Sequence, residues 1–255
     1  MEIFFQKLGR GKPVLLIHGF CETHEIWAGF AERLAESFEV FVIDLPGFGQ
    51  SPLPASSFSI VDIAAIIQRW IDQTKISLPF LVGHSLGGYV ALSMADQVEE
   101  KFSGLCLFHS TPYPDSDERK SNRNRVIEFV TKNGVEPFVD TFVPGLFYNK
   151  THPAIPAVYE IARKTSKETL LAYISAMRDR PSSVEFLRKM QKPVLTLAGE
   201  KDSIVGVDTT LEFGRFAIKS AVHILNETGH MGMLEQPEIA SRILADFISV
   251  SNRPL

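Results

Sequence analysis

Short apolar runs alternate along the chain with segments whose apolar residues recur at every third or fourth position. Such runs, bounded by turn residues, are typical of buried strands, and the longer spacing is typical of amphipathic helices. The predicted strands are Ile3 to Lys7, Val14 to His18, Val40 to Ile43, Phe80 to Gly83, Leu105 to His109, Val194 to Ala198 and Val222 to Leu225. The predicted helices are Ile26 to Ser37, Ile60 to Thr74, Leu86 to Gln97, Asp208 to Phe216 and Pro237 to Val250. The alternation predicts an α/β fold, with a mostly parallel sheet flanked by helices on both faces.

The alternation stops in the central part of the chain. From about Pro112 to Met190 the pattern predicts several helices and no strand, and prolines interrupt the helices. We therefore expect a helical insertion over residues 112–190 between two strands of one sheet. Residues 1–111 and 191–255 are then expected to form a single core.

A pentapeptide between a predicted strand and a predicted helix carries the first chemical signal. Gly83-His84-Ser85-Leu86-Gly87 has the G-x-S-x-G pattern of a nucleophile elbow, a tight turn that holds a serine hydroxyl above the end of a sheet. Glycines two residues on either side of the serine leave room for that turn. Ser85 is the candidate nucleophile.

A serine hydroxyl needs a base to take its proton and an acid to orient that base. His230, in a glycine-flanked loop after the last predicted strand, is the candidate base. Asp202, just beyond the strand Val194 to Ala198, is the candidate acid, and Asp115 is an alternative acid from the other side of the sheet. The chain order of nucleophile, acid and base is the one expected for this kind of sheet.

Backbone amides are the expected donors to a developing oxyanion, because they are rigid. The amide of Leu86 follows the nucleophile and lies at a helix amino terminus, where the helix dipole favours negative charge. The second amide is assigned to Phe20, in the loop after the strand Val14 to His18. The side chain of His18 is expected to be structural.

Five ordered motifs resemble those of the α/β-hydrolase superfamily, and of its small capped esterases in particular. They are His18-Gly19-Phe20, Asp44-Leu45-Pro46-Gly47-Phe48-Gly49-Gln50-Ser51, Gly83-His84-Ser85-Leu86-Gly87-Gly88, Gly199-Glu200-Lys201-Asp202, and Gly229-His230 followed by Glu235-Gln236-Pro237-Glu238. The resemblance implies that the insertion is a cap over the active site, placed after the sixth strand of the family's sheet, and that the remainder is the catalytic core. In this family the cap chooses the substrate.

The residue at the elbow separates the branches of that superfamily. Haloalkane dehalogenases and epoxide hydrolases carry aspartate there, whereas a serine is suited to attack an acyl carbon. The stretch from Gly19 to His24 resembles epoxide hydrolases, which commonly have proline where this chain has Cys21, but Ser85 outweighs that likeness.

The expected activity is a cofactor-free serine hydrolase acting on a small-molecule carboxylic ester or thioester through an acyl-enzyme. A carbon-carbon bond hydrolase or perhydrolase with the same triad is an alternative, and so is a ligand-binding relative without catalysis. Pocket residues are expected to include His24, His109, Phe142, Phe147, Tyr148 and Met231. For His109 the alternative is a packed histidine bonded to backbone.

Composition narrows the remaining possibilities. With 45% hydrophobic and 22% charged residues and a net charge of -4, the chain gives no reason to expect nucleic acid as a partner. The chain has only two cysteines, and it has no apolar run long enough for a bilayer or a leader. We therefore expect a cytoplasmic protein without a membrane partner. We expect it to be a monomer or homodimer. No metal, nucleotide or flavin motif has the required spacing.

The predicted cap has a charge opposite in sign to the rest of the chain. Residues 112–190 contain 13 basic and 10 acidic residues, a net charge of +3, which leaves -7 elsewhere. Helix charges are usually a solvated face. The alternative is that a basic cap attracts an anionic acyl group or a carrier-bound acyl group, as in capped esterases that act on esters held by acyl carrier protein.

Overall fold

A seven-stranded sheet forms the centre of the molecule in the computed structural model, which describes residues 1–251. The strands are β1 (Phe5–Gly9), β2 (Lys12–Ile17), β3 (Phe38–Ile43), β4 (Phe80–His84), β5 (Gly104–Phe108), β6 (Val194–Gly199) and β7 (Ser220–Leu225). Their order is β1-β3-β2-β4-β5-β6-β7, and only β1 runs antiparallel to its neighbour. The sheet and its flanking helices form an α/β fold, as the alternation of strands and helices predicts.

The central strands are apolar without alternation because helices cover the sheet. Val14, Leu15, Leu16 and Ile17 of β2 are all completely buried, as expected for a parallel strand with both faces covered. The helices are α1 (Ala28–Ala35), α2 (Ile60–Thr74), α3 (Leu86–Val98), α4 (Asp117–Asn133), α5 (Glu136–Leu146), α6 (Ile155–Ala162), α7 (Lys167–Arg178), α8 (Val184–Lys189), α9 (Val207–Phe213), α10 (Gly232–Glu235) and α11 (Pro237–Ser251). Helix α1 packs on α11, and α2 packs on α3.

Helix α2 shows why the periodicity succeeds where local signals agree with it. Its bounds coincide with the predicted range. Ser59 and Asp62 form a reciprocal capping box at the start, and Lys75 ends the helix in the left-handed conformation. The predicted helix Ile26 to Ser37 is instead divided into a 3-10 turn, His24–Trp27, and the shorter α1.

Five helices, α4 to α8, connect β5 with β6 in chain order, and the chain forms no strand between them. They occupy the range in which the sequence predicts an insertion. The exact division into a core of residues 1–111 and 191–255 and a cap of residues 112–190 stays a prediction, and residues 252–255 of that core lie outside the described part.

Strands β4 to β7 are mutually parallel, so the loops that follow them meet at one edge of the sheet. In open α/β sheets this carboxyl edge is where ligands bind. Ser85, His109, Asp202 and His230 all lie just beyond one of these strands. In the described portion of the chain, no helix is both long and apolar enough to cross a membrane.

Candidate active site

Ser85 is the single residue between β4 and α3. Its backbone lies at φ 49° and ψ -111°, a conformation that side-chain-bearing residues rarely adopt. Two hydrogen bonds hold it there: the Ser85 amide donates to the Phe108 carbonyl at 2.9 Å, and the Ser110 hydroxyl donates to the Ser85 carbonyl at 2.7 Å. These two hydrogen bonds stabilise the strained backbone of Ser85. The residue remains partly exposed.

The elbow also depends on close backbone approach. A Cβ on Gly83 would collide with the backbone of Gly87, and one on Gly87 would collide with the Ile17 carbonyl. The glycines are therefore required by the packing of β4 and α3 against the neighbouring strand.

Asp202 and His230 are buried side by side. The Nδ1 of His230 lies 2.8 Å from Oδ2 of Asp202, while Oδ1 of Asp202 accepts the amides of Ile204 and Val205 at 2.8 and 3.0 Å. The Nε2 of His230 is buried and has no hydrogen-bond partner within residues 1–251. Since Nδ1 donates its proton to the carboxylate, Nε2 presents a free lone pair.

His109 is a second histidine on the same carboxylate. Its Nδ1 lies 2.9 Å from Oδ2 of Asp202, and its Nε2 accepts the Gly232 amide at 3.2 Å. One nitrogen donates and the other accepts, so His109 is neutral. Burial outweighs the attraction of Asp202 and lowers the pKa of His109 to about 4.

Burial by itself disfavours the charged form of Asp202. The electrostatic interaction with His230 and the hydrogen bonds from His109 and His230 outweigh burial, and the pKa of Asp202 falls far below its ordinary value. Asp202 is therefore a carboxylate that only accepts hydrogen bonds, and it holds both imidazoles with Nδ1 protonated.

The two candidate oxyanion donors are the backbone amides of Phe20 and Leu86. Within residues 1–251, neither the Phe20 amide nor the Leu86 amide donates a hydrogen bond to a protein group. The Leu86 amide belongs to the first residue of α3, where the first amides of a helix lack an acceptor inside the helix. His18 supports the Phe20 loop, since its Nε2 accepts the Leu45 amide at 2.9 Å.

A buried acid and histidine join three loops of the site. Oε2 of Glu22 accepts the Gly19 amide at 2.6 Å and lies 2.9 Å from Nδ1 of His84, whose Nε2 lies 2.9 Å from the His230 carbonyl. Both partners of His84 are acceptors, so the imidazole carries two protons and a positive charge. Burial opposes this, but Glu22 outweighs it and raises the pKa of His84, and the pKa of Glu22 is lowered in turn.

Neither residue of this pair was a predicted site residue. Glu22 had a usable signal, because it is an acid that follows two apolar residues, Phe20 and Cys21, in the loop after Gly19. His84 lies inside the elbow motif as its variable position, and nothing in the sequence marks it as charged.

A cavity of about 270 Å³ lies between the Phe20 loop and helices α4, α5 and α7. Its apolar wall includes Phe20, Phe138 and Phe142. The polar side chains in its wall include Arg119, Asn122 and Arg123. Ser203 and Ile204, directly after Asp202, complete the side nearest the buried acid. Of the six predicted pocket residues, Phe142 lines this cavity.

The structure places the other predicted pocket residues elsewhere. His24 donates its amide to Asp44 at 2.7 Å and lines a different cleft. Phe147 and Met231 are buried in the core, and Tyr148 is largely exposed. His109 is fully buried behind Asp202, where it bonds to a side chain as well as to backbone.

Asp115, the alternative acid, is engaged by two arginines. Its carboxylate lies 3.0 Å from Nε of Arg123 and 2.7 Å from Nη1 of Arg180. Burial tends to raise the pKa of Asp115, but the two arginines outweigh it and lower the pKa. The acid that contacts His230 is Asp202.

His109, Asp202 and His230 are the residues of the described chain whose ligand atoms come close enough to hold a metal ion, within 4.8 Å of one another. Their short contacts are nitrogen-to-oxygen distances of 2.8 and 2.9 Å, which are those of hydrogen bonds to a carboxylate. Those bonds use the Nδ1 protons, and a metal bound at Nδ1 would have to replace them.

Comparison with known proteins agrees with this geometry. Residues 12–237 match the model of a family described as alpha/beta hydrolase fold. A pimeloyl-[acyl-carrier protein] methyl ester esterase of Methylococcus capsulatus is 27% identical over 98% of this chain and all of its own length. An uncharacterized hydrolase of Bacillus subtilis, YugF, is 26% identical over 96% of this chain and 92% of its own.

A solved structure has the same fold over nearly the whole chain. It is a thermophilic esterase from Thermogutta terrifontis, solved with malate bound. The superposition has a TM-score of 0.93 and 28% sequence identity, and it covers 98% of this chain and 94% of the other.

Proposed function

We propose that this chain, which belongs to the alpha/beta hydrolase fold family and is a hydrolase, cleaves a carboxylic ester or thioester through an acyl-enzyme on Ser85. The observation that carries the proposal is the buried pair of Asp202 and His230, whose Nε2 has no hydrogen-bond partner within residues 1–251, together with the strained backbone of Ser85. A base in this state needs only a hydroxyl proton to accept.

In the first half of the reaction, Nε2 of His230 takes the hydroxyl proton of Ser85 while Oγ attacks the acyl carbon. The carbonyl oxygen becomes an oxyanion that accepts the Phe20 and Leu86 amides. As the intermediate collapses, the bond to the leaving group breaks, and His230 returns the proton to the leaving alcohol or thiol. The acyl group is then an ester of Ser85.

In the second half, water replaces the leaving group. His230 takes a proton from the water as its oxygen attacks the acyl carbon, and the same two amides hold the second oxyanion. Collapse breaks the bond to Oγ, and the proton on Nε2 returns to Ser85. The products are a carboxylic acid and the free enzyme.

Asp202 contributes orientation and charge. It holds His230 with Nδ1 protonated and Nε2 free, and it stabilises the imidazolium that forms when Nε2 takes a proton. The neutral His109 bonds the same oxygen, Oδ2, and two backbone amides hold Oδ1, so the oxygen that faces His230 cannot rotate away. His109 acts through Asp202 and is a positioning residue.

Ester chemistry is favoured by the names of the relatives and by the elbow residue. The Methylococcus relative is named for methyl ester cleavage, and the Thermogutta structure is titled an esterase. Carbon-carbon hydrolysis and perhydrolysis use the same triad and stay as alternatives. A further relative, from Metapseudomonas resinovorans, is named as a hydrolase of a 2-hydroxy-6-oxo-dienoic acid. Such a substrate therefore belongs in the activity screen.

The decisive experiment combines labelling with turnover. A fluorophosphonate probe should modify one residue, Ser85, in the native protein, because a base-activated serine is uncommonly nucleophilic. Ser85→Ala should lose both labelling and hydrolysis of p-nitrophenyl esters. Ser93→Ala, a serine further along α3, is the matched control and should keep both. Labelling that persists in Ser85→Ala would refute the assignment.

A screen over acyl thioesters, p-nitrophenyl esters of increasing chain length and a carbon-carbon hydrolase substrate then separates the alternatives. The proposal expects turnover of esters or thioesters that disappears in Ser85→Ala. Turnover of the carbon-carbon substrate alone would replace ester cleavage as the activity, and a folded protein with no turnover would favour the ligand-binding alternative.

A further inference from the structure

The arginines at the cavity beside the Phe20 loop carry more positive charge than their carboxylate partner can neutralise. In the described chain, one carboxylate, Asp115, serves both Arg123 and Arg180, and its side chain is completely buried. Two guanidinium groups against one carboxylate leave one positive charge in excess. The hydrogen bonds and ion pairs of the two arginines determine where this excess positive charge lies.

Arg180 is held inside the protein by both of its terminal nitrogens, while its buried Nε has no hydrogen-bond partner among the described residues. Its Nη1 donates to Asp115 and to the Met177 carbonyl, its Nη2 donates to the Tyr113 carbonyl, and its guanidinium lies 4.0 Å from the centre of the Tyr89 ring. Its side chain is 4% exposed. It cannot turn toward the cavity without leaving Asp115.

Arg123 has free donors toward the cavity. Its Nε holds Asp115 at 3.0 Å, and within residues 1–251 its Nη1 and Nη2 donate to no protein acceptor. Its side chain is 24% exposed, and the residue lines the cavity. The rigid contact through Nε presents the two terminal nitrogens as a fork, the geometry that binds a carboxylate through both oxygens.

Arg119 adds a second charge one helical turn earlier on α4. Its Nη2 donates to the Ile204 carbonyl at 2.8 Å, and it forms no ion pair with any described residue. Asn122, between the two arginines, also lines the cavity. No acidic residue contributes to this wall among those the structure describes.

The opposite wall is aromatic. Phe20, Phe138 and Phe142 pack against one another with ring centres 5.1 to 6.2 Å apart. The backbone amide of Phe20 is a proposed oxyanion donor, so this apolar surface includes the side chain of a residue proposed to contact the reacting group. The surface suits methylene groups, and the arginines at its other side suit an anion.

We propose that Arg119, Asn122 and Arg123 bind a carboxylate carried by the acyl group, so that the substrate is a monoester or monothioester of a short dicarboxylic acid. The proposal rests on the proposed function, since the acyl carbon must lie at Ser85. A cavity of about 270 Å³ is near the lower end for small-molecule sites, ~300 to 1,000 Å³, which favours a short acyl chain.

The test compares two esters that differ only in the distal group. The charged substrate is the p-nitrophenyl monoester of adipic acid, and the neutral one is p-nitrophenyl hexanoate, of equal chain length. Arg123→Gln should lower kcat/KM for the adipate ester by about tenfold or more, because it removes charge-assisted hydrogen bonds. Most of the loss should be in KM, since the carboxylate is remote from the reacting carbon. The hexanoate should respond little.

Arg125→Gln is the matched control. Arg125 lies on the same helix and carries the same charge, but it is exposed and outside the cavity. Its loss should leave both substrates unaffected. An effect as large as that of Arg123→Gln would overturn the proposal, because it would assign the preference to diffuse surface charge. Equal losses on both esters in Arg123→Gln would overturn it as well.

Arg119→Gln guards against a folding defect, because it leaves the Asp115 ion pairs intact. It should lower kcat/KM for the adipate ester selectively, and thermal unfolding should match that of the unaltered protein. Selectivity that survives unchanged in both Arg119→Gln and Arg123→Gln would contradict the site.

A binding measurement separates this proposal from the proposed function. Adipate should bind to Ser85→Ala protein in a calorimetric titration, and the added changes Arg119→Gln and Arg123→Gln should abolish that binding. If the triple variant binds adipate as well as Ser85→Ala does, the carboxylate site is wrong. If Ser85→Ala retains turnover, the proposed nucleophile is wrong, whatever the titration gives.

Discussion

Part of the acid destabilisation of the protein should come from the buried histidine His109. It is neutral in the fold, with its two nitrogens occupied by Asp202 and by the Gly232 amide. Protonation of His109 at Nε2 would create a second N–H that needs an acceptor, but the group next to Nε2 is the Gly232 amide, which is a donor. The unfolded chain takes up that proton freely below the ordinary histidine pKa, so acid favours unfolding.

The magnitude follows from the two pKa values. The ordinary pKa of histidine is 6.5, and the pKa of His109 in the folded protein is about 4. Because the folded pKa is the lower one, this contribution to stability is complete well above 6.5, declines as the pH falls below it, and stops changing near pH 4. Each pKa unit corresponds to about 1.4 kcal/mol, so the loss between about pH 8 and about pH 5 is about 2 kcal/mol.

The assay is urea unfolding at those two pH values for the unaltered protein and for His109→Asn. Asparagine can still donate to Asp202, but it does not titrate. The drop in unfolding free energy on acidification should be smaller in His109→Asn by about 2 kcal/mol. Contributions from His84 and Glu22 are common to both proteins and cancel in the difference. His223→Asn, at an exposed position on β7, is the control that should keep the full drop. Equal drops in the unaltered protein and His109→Asn would refute the reasoning.

Three further outcomes can be checked. Asp202→Asn should reduce kcat by on the order of 10⁴, because it favours the wrong imidazole tautomer. Asp115→Asn should keep kcat but lower the unfolding free energy by up to about 3 kcal/mol, because Arg180 loses its buried charge partner. If Asp115 were the acid, steady-state kinetics and urea unfolding would show the kcat loss in Asp115→Asn instead. Glu22→Gln should destabilise the protein by roughly 3 kcal/mol near neutral pH. The deficit should shrink as the pH rises through the raised pKa of His84, because the unaltered protein then loses its ion pair; a deficit that is constant with pH would contradict an imidazolium at that position. The kcat/KM for a carboxylate-bearing ester should fall as ionic strength rises while that for a neutral ester stays level; equal salt dependence would count against a charged subsite.

The periodicity determined the kinds of element and their order. Strand β4 and helix α2 lie where the pattern predicts, because a strand covered on both faces must be apolar throughout and a surface helix must be amphipathic. The boundaries of an element differ from the predicted ones where a tertiary contact outweighs the local sequence pattern. The predicted helix at Ile26 is preceded by a 3-10 turn because His24 is held by Asp44, a residue at the end of β3.

The candidate reactive residues were also accessible from the sequence, because each lies next to a turn signal at the end of a strand. Ser85, Asp202 and His230 can be named from their glycine-flanked loops. What the pattern could not decide was the choice between Asp202 and Asp115, since both follow a strand of the same sheet. Three-dimensional packing decides it: His230 contacts Asp202, and the arginines claim Asp115.

Three features came from the tertiary structure alone. They are the charged His84 between Glu22 and the His230 carbonyl, the neutral His109 behind Asp202, and the unbalanced charge on Arg123 in the cavity. A sequence pattern reports which residues prefer burial, whereas the charge of a buried group depends on whether its neighbours donate or accept. Those neighbours lie 62, 93 and 8 positions away along the chain. Only the folded packing brings them together, so only the structure assigns the protons.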